Sequence, residues 1–460
     1  MSNEVKIIFE NDLLISENKT VKEFVENSPV GHSSVLLNDV HYVVVKEKSI
    51  NTLEKVRNVA GDIARDLSSR KIEEAHVTAE VLANGYAELA KDAVLTAFAE
   101  GWDLGAYQFL TYKPSVTAFH TALKVEGDSE AQAFVTIGKI RAEATAFSRD
   151  LMNEVSNVLN PETFPEVLKK QFAGTDVEVN VLDKESLEEM EMNGVLTVGR
   201  GSIYKPAFVE LVYKGDESKP LVALVGKGVT FDTGGISLKS GKDLSDMRMD
   251  MGGAAAVSGA LTLLAKSNAK VNVVALIPIV ENMPDNTSVL PGEVIKYKNG
   301  LTVQVGNTDA EGRLILADAL IRAGEWKAEY IVDIATLTGA IVNALGTELG
   351  GVFGDEELSA QMKKIGDQNG DFIWPMPLVE AYDKSLDSDY ADMNNISSLG
   401  GAGSITAGLF LRRFVPKDSK WLHVDMAGMM SKNSASGYYA KSATGYGARL
   451  LADFTTHISN

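Results

Sequence analysis

GNTDAEGRLILADALIRAGEWKAEYIVDIAT, residues 306–336, runs a polar loop into a helical pattern and then into a short apolar run. In GRLILADALIRAGEW (312–326) apolar residues recur at helical spacing, whereas EYIVDIAT (329–336) has the length and β-branched content of a buried strand. The same alternation continues on either side. PLVALVG (220–226), KVNVVALIPIV (270–280) and WLHVDMA (421–427) read as strands, and GGAAAVSGALTLLAKS (252–267) and TAGLFLRRFV (406–415) as helices. Strands and helices that alternate in this way form βαβ units, so an α/β fold is predicted, with a mixed or parallel central sheet flanked by helices.

Upstream lies a smaller α/β pattern. VHYVVVKE (40–47) and AQAFVTIGK (131–139) read as strands, and NTLEKVRNVAGDIARDL (51–67) and AELAKDAVLTAFAEGWDL (87–104) as helices. RDLMNEVSNVLNPETFPEV (149–167) reads as a helix that breaks at Asn160–Pro161, a natural place for a linker. Two domains are therefore expected, a small N-terminal one over 1–155 and a larger C-terminal one over 156–460.

Composition narrows the function. The net charge is −19, with 16 basic and 23 acidic residues in the first 150 (−7) and the remaining −12 downstream. Neither part is a basic module, which argues against nucleic acid and against anionic membrane as partners. Cysteine is absent, which excludes disulfides, thiolate metal sites and cysteine nucleophiles. The opening MSNEVKIIFEND lacks a basic segment followed by an apolar one, and no apolar run reaches the about 20 residues a bilayer span needs. A cytoplasmic protein is expected.

In a parallel sheet, ligands bind beyond the carboxyl ends of the strands. Three loops occupy such positions: LVGKGVTFDTGGISLKSGKDLSDMRMDMGG, VGNTDAEGR and ATLTGA. They contain neither a G-x-S-x-G elbow nor H-E-x-x-H, and GGISLKSGKD departs from P-loop spacing. The six histidines, His32, His41, His76, His120, His423 and His457, are scattered. What the loops do carry is Asp232, Asp250, Asp309, Glu311, Lys227 and Lys239. Taken singly, each acid has an ordinary reading as a turn former or a helix-start charge, and each lysine as a solvated side chain. Together, four carboxylates on neighbouring loops suit two bridged divalent cations better than one catalytic zinc. Asp309 and Glu311 can chelate jointly only if they precede the helix, because residues two apart diverge once helical.

NTDAEGRL resembles the signature of the leucyl aminopeptidases, the dinuclear cytosol aminopeptidase family. VGKGVTFDTGGISLK…MRMDMGGAAAV, ATLTGA (335–340), ADMNNI (391–396), HVDMAG (423–428) and SATGYGARLL (442–451) resemble further segments of that family in the same order. The resemblance is strong over about 200–460 and weaker upstream, through EGWDLGAYQF (100–109) and RDLMNEVSNVL (149–159). It implies two divalent ions per subunit, Zn²⁺ or Mn²⁺. Lys227, Asp232, Asp250 and Glu311 would hold the tighter ion, and Asp232, Asp309 and Glu311 the more exchangeable one. Lys227 would then be a neutral amine, which two neighbouring dications and burial would favour. Lys239 would remain an ammonium that stabilises the oxyanion of the tetrahedral intermediate. Arg313 would hold a bicarbonate ion as general base, the ordinary alternative being a salt bridge to Asp309 or Glu311.

The resemblance also places Lys239, Met247, Asn307, Thr336, Leu337, Gly339, Ala427 and Met430 against the substrate, in a pocket suited to leucine and methionine. It implies a metal-dependent aminopeptidase acting on peptide substrates and assembled as a homohexamer. Two other functions compete. Some members of this family bind DNA, against which the acidic charge weighs. Another two-metal hydrolase, such as a phosphoesterase, would require cationic clamps, for which only Lys239, Arg313 and Lys242 are at hand.

Overall fold

The computed structural model describes residues 4–37, 40–46, 52–241 and 243–460, so Lys242 lies outside the described residues. The stretch that opens the sequence reading folds as expected: a loop, the helix Gly312–Glu325 and the strand Tyr330–Ala335. This strand is central in a nine-stranded sheet among the described residues. It pairs in parallel with Leu221–Gly226 on one side and Lys420–Asp425 on the other. Leu221–Gly226 pairs in parallel with Asn272–Asn282, whose far end also takes Gly228–Asp232. The sheet is mixed because antiparallel strands flank this parallel centre. Ala207–Lys214 and Val177–Leu182 lie on one side, and Gly350–Gly354 on the other, where Ile373–Pro375 forms the edge.

The central strands are buried along nearly their whole length, as strands covered on both faces must be. The helix Gly252–Lys266 is apolar all round and buried through Leu264. Leu314, Ile315, Leu316 and Leu320 of Gly312–Glu325 pack with Ala223, Val225, Leu276 and Ile331 of the sheet. This packing fixes the strand ends, and the loops that leave them carry the site.

The chain divides into two compact units, residues 4–146 with Lys432–Ser442, and Phe147–Ser431 with Ala443–Asn460. The first contains a five-stranded sheet ordered Gly31–Leu37, Val40–Lys46, Glu4–Phe9, Glu74–Thr78, Ala122–Glu126. Its core gathers Val5, Ile7, Val56, Ile63, Phe98 and Trp102.

Three expectations need correction. AQAFVTIGK (131–139) is helix, part of Ser129–Asn153. Its buried residues Ala131, Val135, Gly138 and Ala142 follow a helical period, and Asp128 caps the start by accepting from the Ala131 N–H at 2.8 Å. Tertiary packing of that stripe outweighs the β-branched local preference. Second, the division into units falls near Ala146 rather than at 155, within this continuous helix, where no turn residue marks it. Lys432–Ser442 joins the first unit because the Gly437 N–H donates to Asp62 Oδ1 at 2.9 Å and Arg65 Nη2 donates to the Gly437 and Tyr439 carbonyls. Third, Asn160 is not a linker residue. It is buried, and its Oδ1 accepts from the Glu162 and Thr163 N–H groups in a turn before the helix Phe164–Phe172.

Candidate metal centre

Lys227 directly follows the strand Leu221–Gly226, and two glycines make room for it. A Cβ on Gly312 would lie 2.7 Å from Lys227 Cε, and one on Gly253 would lie 2.0 Å from the Ile334 carbonyl oxygen and 2.7 Å from the Lys227 nitrogen. Without those methyl groups, the starts of two helices close over the lysine, and the Ala254 N–H donates to the Lys227 carbonyl. The buried Lys227 ammonium lies 2.7 Å from Asp250 Oδ2 and 2.9 Å from Glu311 Oε1, and donates to the Thr336 carbonyl at 3.0 Å.

A second lysine completes the cluster. Lys239 Nζ lies 2.7 Å from Asp232 Oδ2 and 2.5 Å from Asp309 Oδ1. Carboxylate oxygens of Asp232, Asp309 and Glu311 all fall within 4.8 Å of one another. Asp250 comes from the end of the 3₁₀ helix Ser245–Met249 and accepts from the Thr336 hydroxyl at 2.8 Å. Asp232 does form a turn, its Oδ1 accepting from the Gly234 N–H at 2.9 Å, but the helix-start readings of Asp250 and Glu311 do not hold. Asp250 turns to Lys227 and Thr336, and Glu311 occupies the N-cap position of Gly312–Glu325 without a side-chain capping bond.

Four carboxylates and two ammonium groups leave two negative charges uncompensated. Burial pushes the Asp250 carboxyl well above its ordinary range and raises Glu311 and Asp309, reinforced in each by the neighbouring Asp232 carboxylate. Burial works against the Lys227 ammonium, but Asp250, Glu311 and Asp232 outweigh it and raise its pKa; Lys239 is raised in the same way, chiefly by Asp232. With carboxylates alone around it Lys227 is held protonated, so a neutral amine there requires added positive charge. Glu311 Oε2 is buried without a hydrogen-bond partner. Asp250 Oδ2 and Asp309 Oδ1 lie within ion-pair distance of the lysines yet make no directed hydrogen bond. A donor set of hard oxygens, short of cations and with unsatisfied lone pairs, fits divalent metal ions.

The cluster lines a cavity of about 230 Å³. Met247, Thr336, Leu337, Gly339, Ala427 and Met430 line it as well, together with Asp246, Thr338 and Val342, which the sequence reading did not name. A Cβ on Gly339 would meet nothing within 4 Å, so the cavity is open at that point. Thr336 serves the cluster through both its carbonyl and its hydroxyl. The Leu337 N–H donates to Asp425 Oδ1, which also accepts from Ala427, while Asp425 Oδ2 accepts from the Thr338 hydroxyl at 2.6 Å.

Asn307 and Arg313 are not among the lining residues. Asn307 Oδ1 accepts from the Asp309 N–H at 2.8 Å, so its side chain braces the loop. Arg313 is buried and donates through Nη1 to the Asn395 carbonyl at 2.9 Å, leaving Nε without a partner. It forms no ion pair with Asp309 or Glu311, and burial lowers its pKa to about 10 against the pull of Glu311 and Asp425. His423 is fully buried, with Nδ1 2.5 Å from Asp333 Oδ1, and does not line the cavity. Asn282 and Asn395 escaped the sequence reading. Asn282 Nδ2 donates to both Asp232 Oδ1 and the Thr308 carbonyl, tying two of the acid-bearing loops together. Only the ADMNNI segment pointed towards Asn395.

The acid- and lysine-lined cavity lies at the carboxyl ends of the parallel strands in the centre of a mixed sheet, and similarity to known proteins gives the chain a family. Residues 146–452 match the cytosol aminopeptidase family, catalytic domain. The probable cytosol aminopeptidase of Persephonella marina is 38% identical over 408 residues, covering 87% of this chain and 82% of that protein. That of Corynebacterium diphtheriae is 37% identical over 412 residues, covering 88% and 80%. The bottromycin maturation enzyme BotP, solved in complex with Mn, superposes with a TM-score of 0.90 at 30% identity over 100% of both chains. The chain belongs to the cytosol aminopeptidase family and is an aminopeptidase, a peptide hydrolase. No helix among the described residues is long and apolar enough to cross a membrane.

Proposed function

We propose that this aminopeptidase is metal-dependent and releases N-terminal amino acids, leucine and other apolar residues above all, from peptides. Lys227, Asp232, Asp250 and Glu311 would hold one divalent cation and Asp232, Asp309 and Glu311 a second, with zinc or manganese both compatible with the donors. The observation that carries this reading is the convergence of four carboxylates and two lysines on one cavity, with Glu311 Oε2 buried and unpartnered. That BotP is solved with Mn supports it. When bound, the cations supply Lewis acidity towards the scissile carbonyl and lower the pKa of the attacking water.

The chain's own groups do the rest. Lys239, held between Asp232 and Asp309, keeps an ammonium at the position where the carbonyl oxygen becomes negative. Met247, Val342, Ala427 and Met430 offer an apolar, adaptable surface to the first side chain. Arg313, buried and short of partners at Nε, is suited to hold a bicarbonate ion as the general base. The backbone groups of Leu337 and Gly339 would orient the peptide; because the Leu337 N–H is committed to Asp425, its carbonyl is the group left for this task.

We further infer a homohexamer in the cytoplasm, without nucleic acid, in keeping with the family resemblance and the acidic charge. Leucine anilide and a phosphate ester, offered to chelator-treated protein before and after Mn²⁺ or Zn²⁺ is returned, test the reading. Hydrolysis of the anilide alone, restored by metal, is expected. Activity untouched by chelation, or hydrolysis of the ester instead, would overturn it.

A further inference from the structure

We infer that Asn395 is a positioning residue for the Asp309–Glu311 loop, and that its carboxamide sets how well Asp309 takes part in cation binding. The inference rests on the metal-dependent reading above and names the residue that keeps the loop in register.

The 306–311 segment has no regular backbone partner, yet it must present two acids in a fixed direction. Asn395 supplies the missing partners. Its Oδ1 accepts from the Gly306 N–H at 2.8 Å and the Asn307 N–H at 3.2 Å. Its Nδ2 donates to the Asn307 carbonyl at 2.7 Å and the Ala310 carbonyl at 3.2 Å. A carboxamide has two donor hydrogens and two acceptor lone pairs, and all four are used on main-chain groups of this one loop. The residue is fully buried, so water cannot replace any of them.

The main chain of Asn395 adds two further ties. Its N–H donates to the Gln304 carbonyl at 3.0 Å, next to the parallel pairing of Met393–Asn394 with Thr302–Gln304. Its carbonyl accepts from Arg313 Nη1 at 2.9 Å. One residue thus fixes the ligand loop and the guanidinium that follows it. On the opposite side, the Thr308 hydroxyl donates to the Gly234 carbonyl and Asn282 Nδ2 donates to the Thr308 carbonyl. The loop is held from two sides, and on one of them the Asn395 carboxamide supplies the hydrogen bonds while Asn394 and Ile396 pack against Gly306.

The two acids should respond unequally to its loss. Glu311 is buried, paired with Lys227 and placed at the start of a long helix, so it is anchored independently. Asp309 has a side chain 31% exposed and lies inside the segment that Asn395 braces. Asn395→Asp is the sharpest test: it preserves shape but turns a carboxylate oxygen towards the Asn307 and Ala310 carbonyls, where a donor is required. Asn395→Ser, with a single hydroxyl, is a milder disruption.

The test is equilibrium dialysis of Mn²⁺ against the full-length wild type, N395D and N395S, with thermal unfolding of each metal-free protein alongside. Expected are two ions bound by the wild type, and in both variants one ion retained while the second weakens at least about tenfold, in line with the usual effect of removing a group that orients a metal ligand. Metal-free unfolding temperatures should fall by only a few degrees, the cost of the buried main-chain groups left unsatisfied, with both variants folded under the dialysis conditions. Variants that bind both ions like the wild type would overturn the inference and leave the metal reading standing. A wild type that binds no Mn²⁺ would overturn both. Variants that do not fold, or that lose both ions equally, would make Asn395 a determinant of the fold and likewise defeat the inference.

Discussion

The Thr336 hydroxyl donates to Asp250 Oδ1 at 2.8 Å, joining side chains 86 residues apart in sequence and both buried. Thr336 closes the strand Tyr330–Ala335, whereas Asp250 ends the 3₁₀ helix Ser245–Met249, so the sheet itself aims this carboxylate at Lys227. Thr336→Val keeps the shape and removes the donor. Affinity for the tighter cation should fall about 10–100-fold, read by competition with a chelating dye. Unchanged affinity would show that Lys227 alone orients Asp250.

Lys239→Met should lower kcat about 10²–10³-fold, the usual cost of removing a donor to a developing oxyanion. KM for leucine anilide should change far less. The opposite pattern, an elevated KM with kcat preserved, would assign Lys239 to uniform substrate binding.

Arg313→Ala should reduce turnover while both metals remain, because the guanidinium reaches the Asn395 carbonyl and no carboxylate ligand. Metal analysis of the purified variant decides this. Loss of both ions would mean that Arg313 supports the ligands directly.

How much of this was legible beforehand depends on distance along the chain. Asp309 and Glu311 sit in one short motif, and Lys227, Asp232, Lys239 and Asp250 within another segment, so charge concentrated in loops between apolar runs made them candidates, and the family resemblance supplied their roles. Asn282, Asn395 and Asp425 act through main-chain groups remote in sequence, and an amide or acid at a strand end carries no local mark of such a role. The 131–139 stretch failed for a related reason: Val135 and Ile137 suggest a strand, and only the packing of Ala131, Val135 and Gly138 reveals the helix.

Asp318, on the same helix as Arg313, gives a pH signature away from the ligands. Burial raises its pKa to about 8, with the Val195 and Gly194 N–H groups opposing, and Oδ2 accepts from the Val195 N–H at 2.9 Å. The folded protein therefore holds a proton here that the unfolded chain releases above the ordinary carboxylate range. This contribution is fully present at low pH and is lost as pH rises towards about 8. Asp318→Asn keeps an acceptor for Val195 and removes the titration. Denaturant unfolding from pH 4 to 9 should show the variant gaining stability relative to the wild type as pH rises; parallel curves would contradict the assignment.

The most direct test is a crystal of this chain soaked in Mn²⁺ and measured at the manganese absorption edge. The account predicts two anomalous peaks about 3.5–4 Å apart, ligated by Lys227, Asp232, Asp250, Asp309 and Glu311. A cavity free of anomalous density at saturating Mn²⁺, with both lysines still paired to the carboxylates, would contradict it.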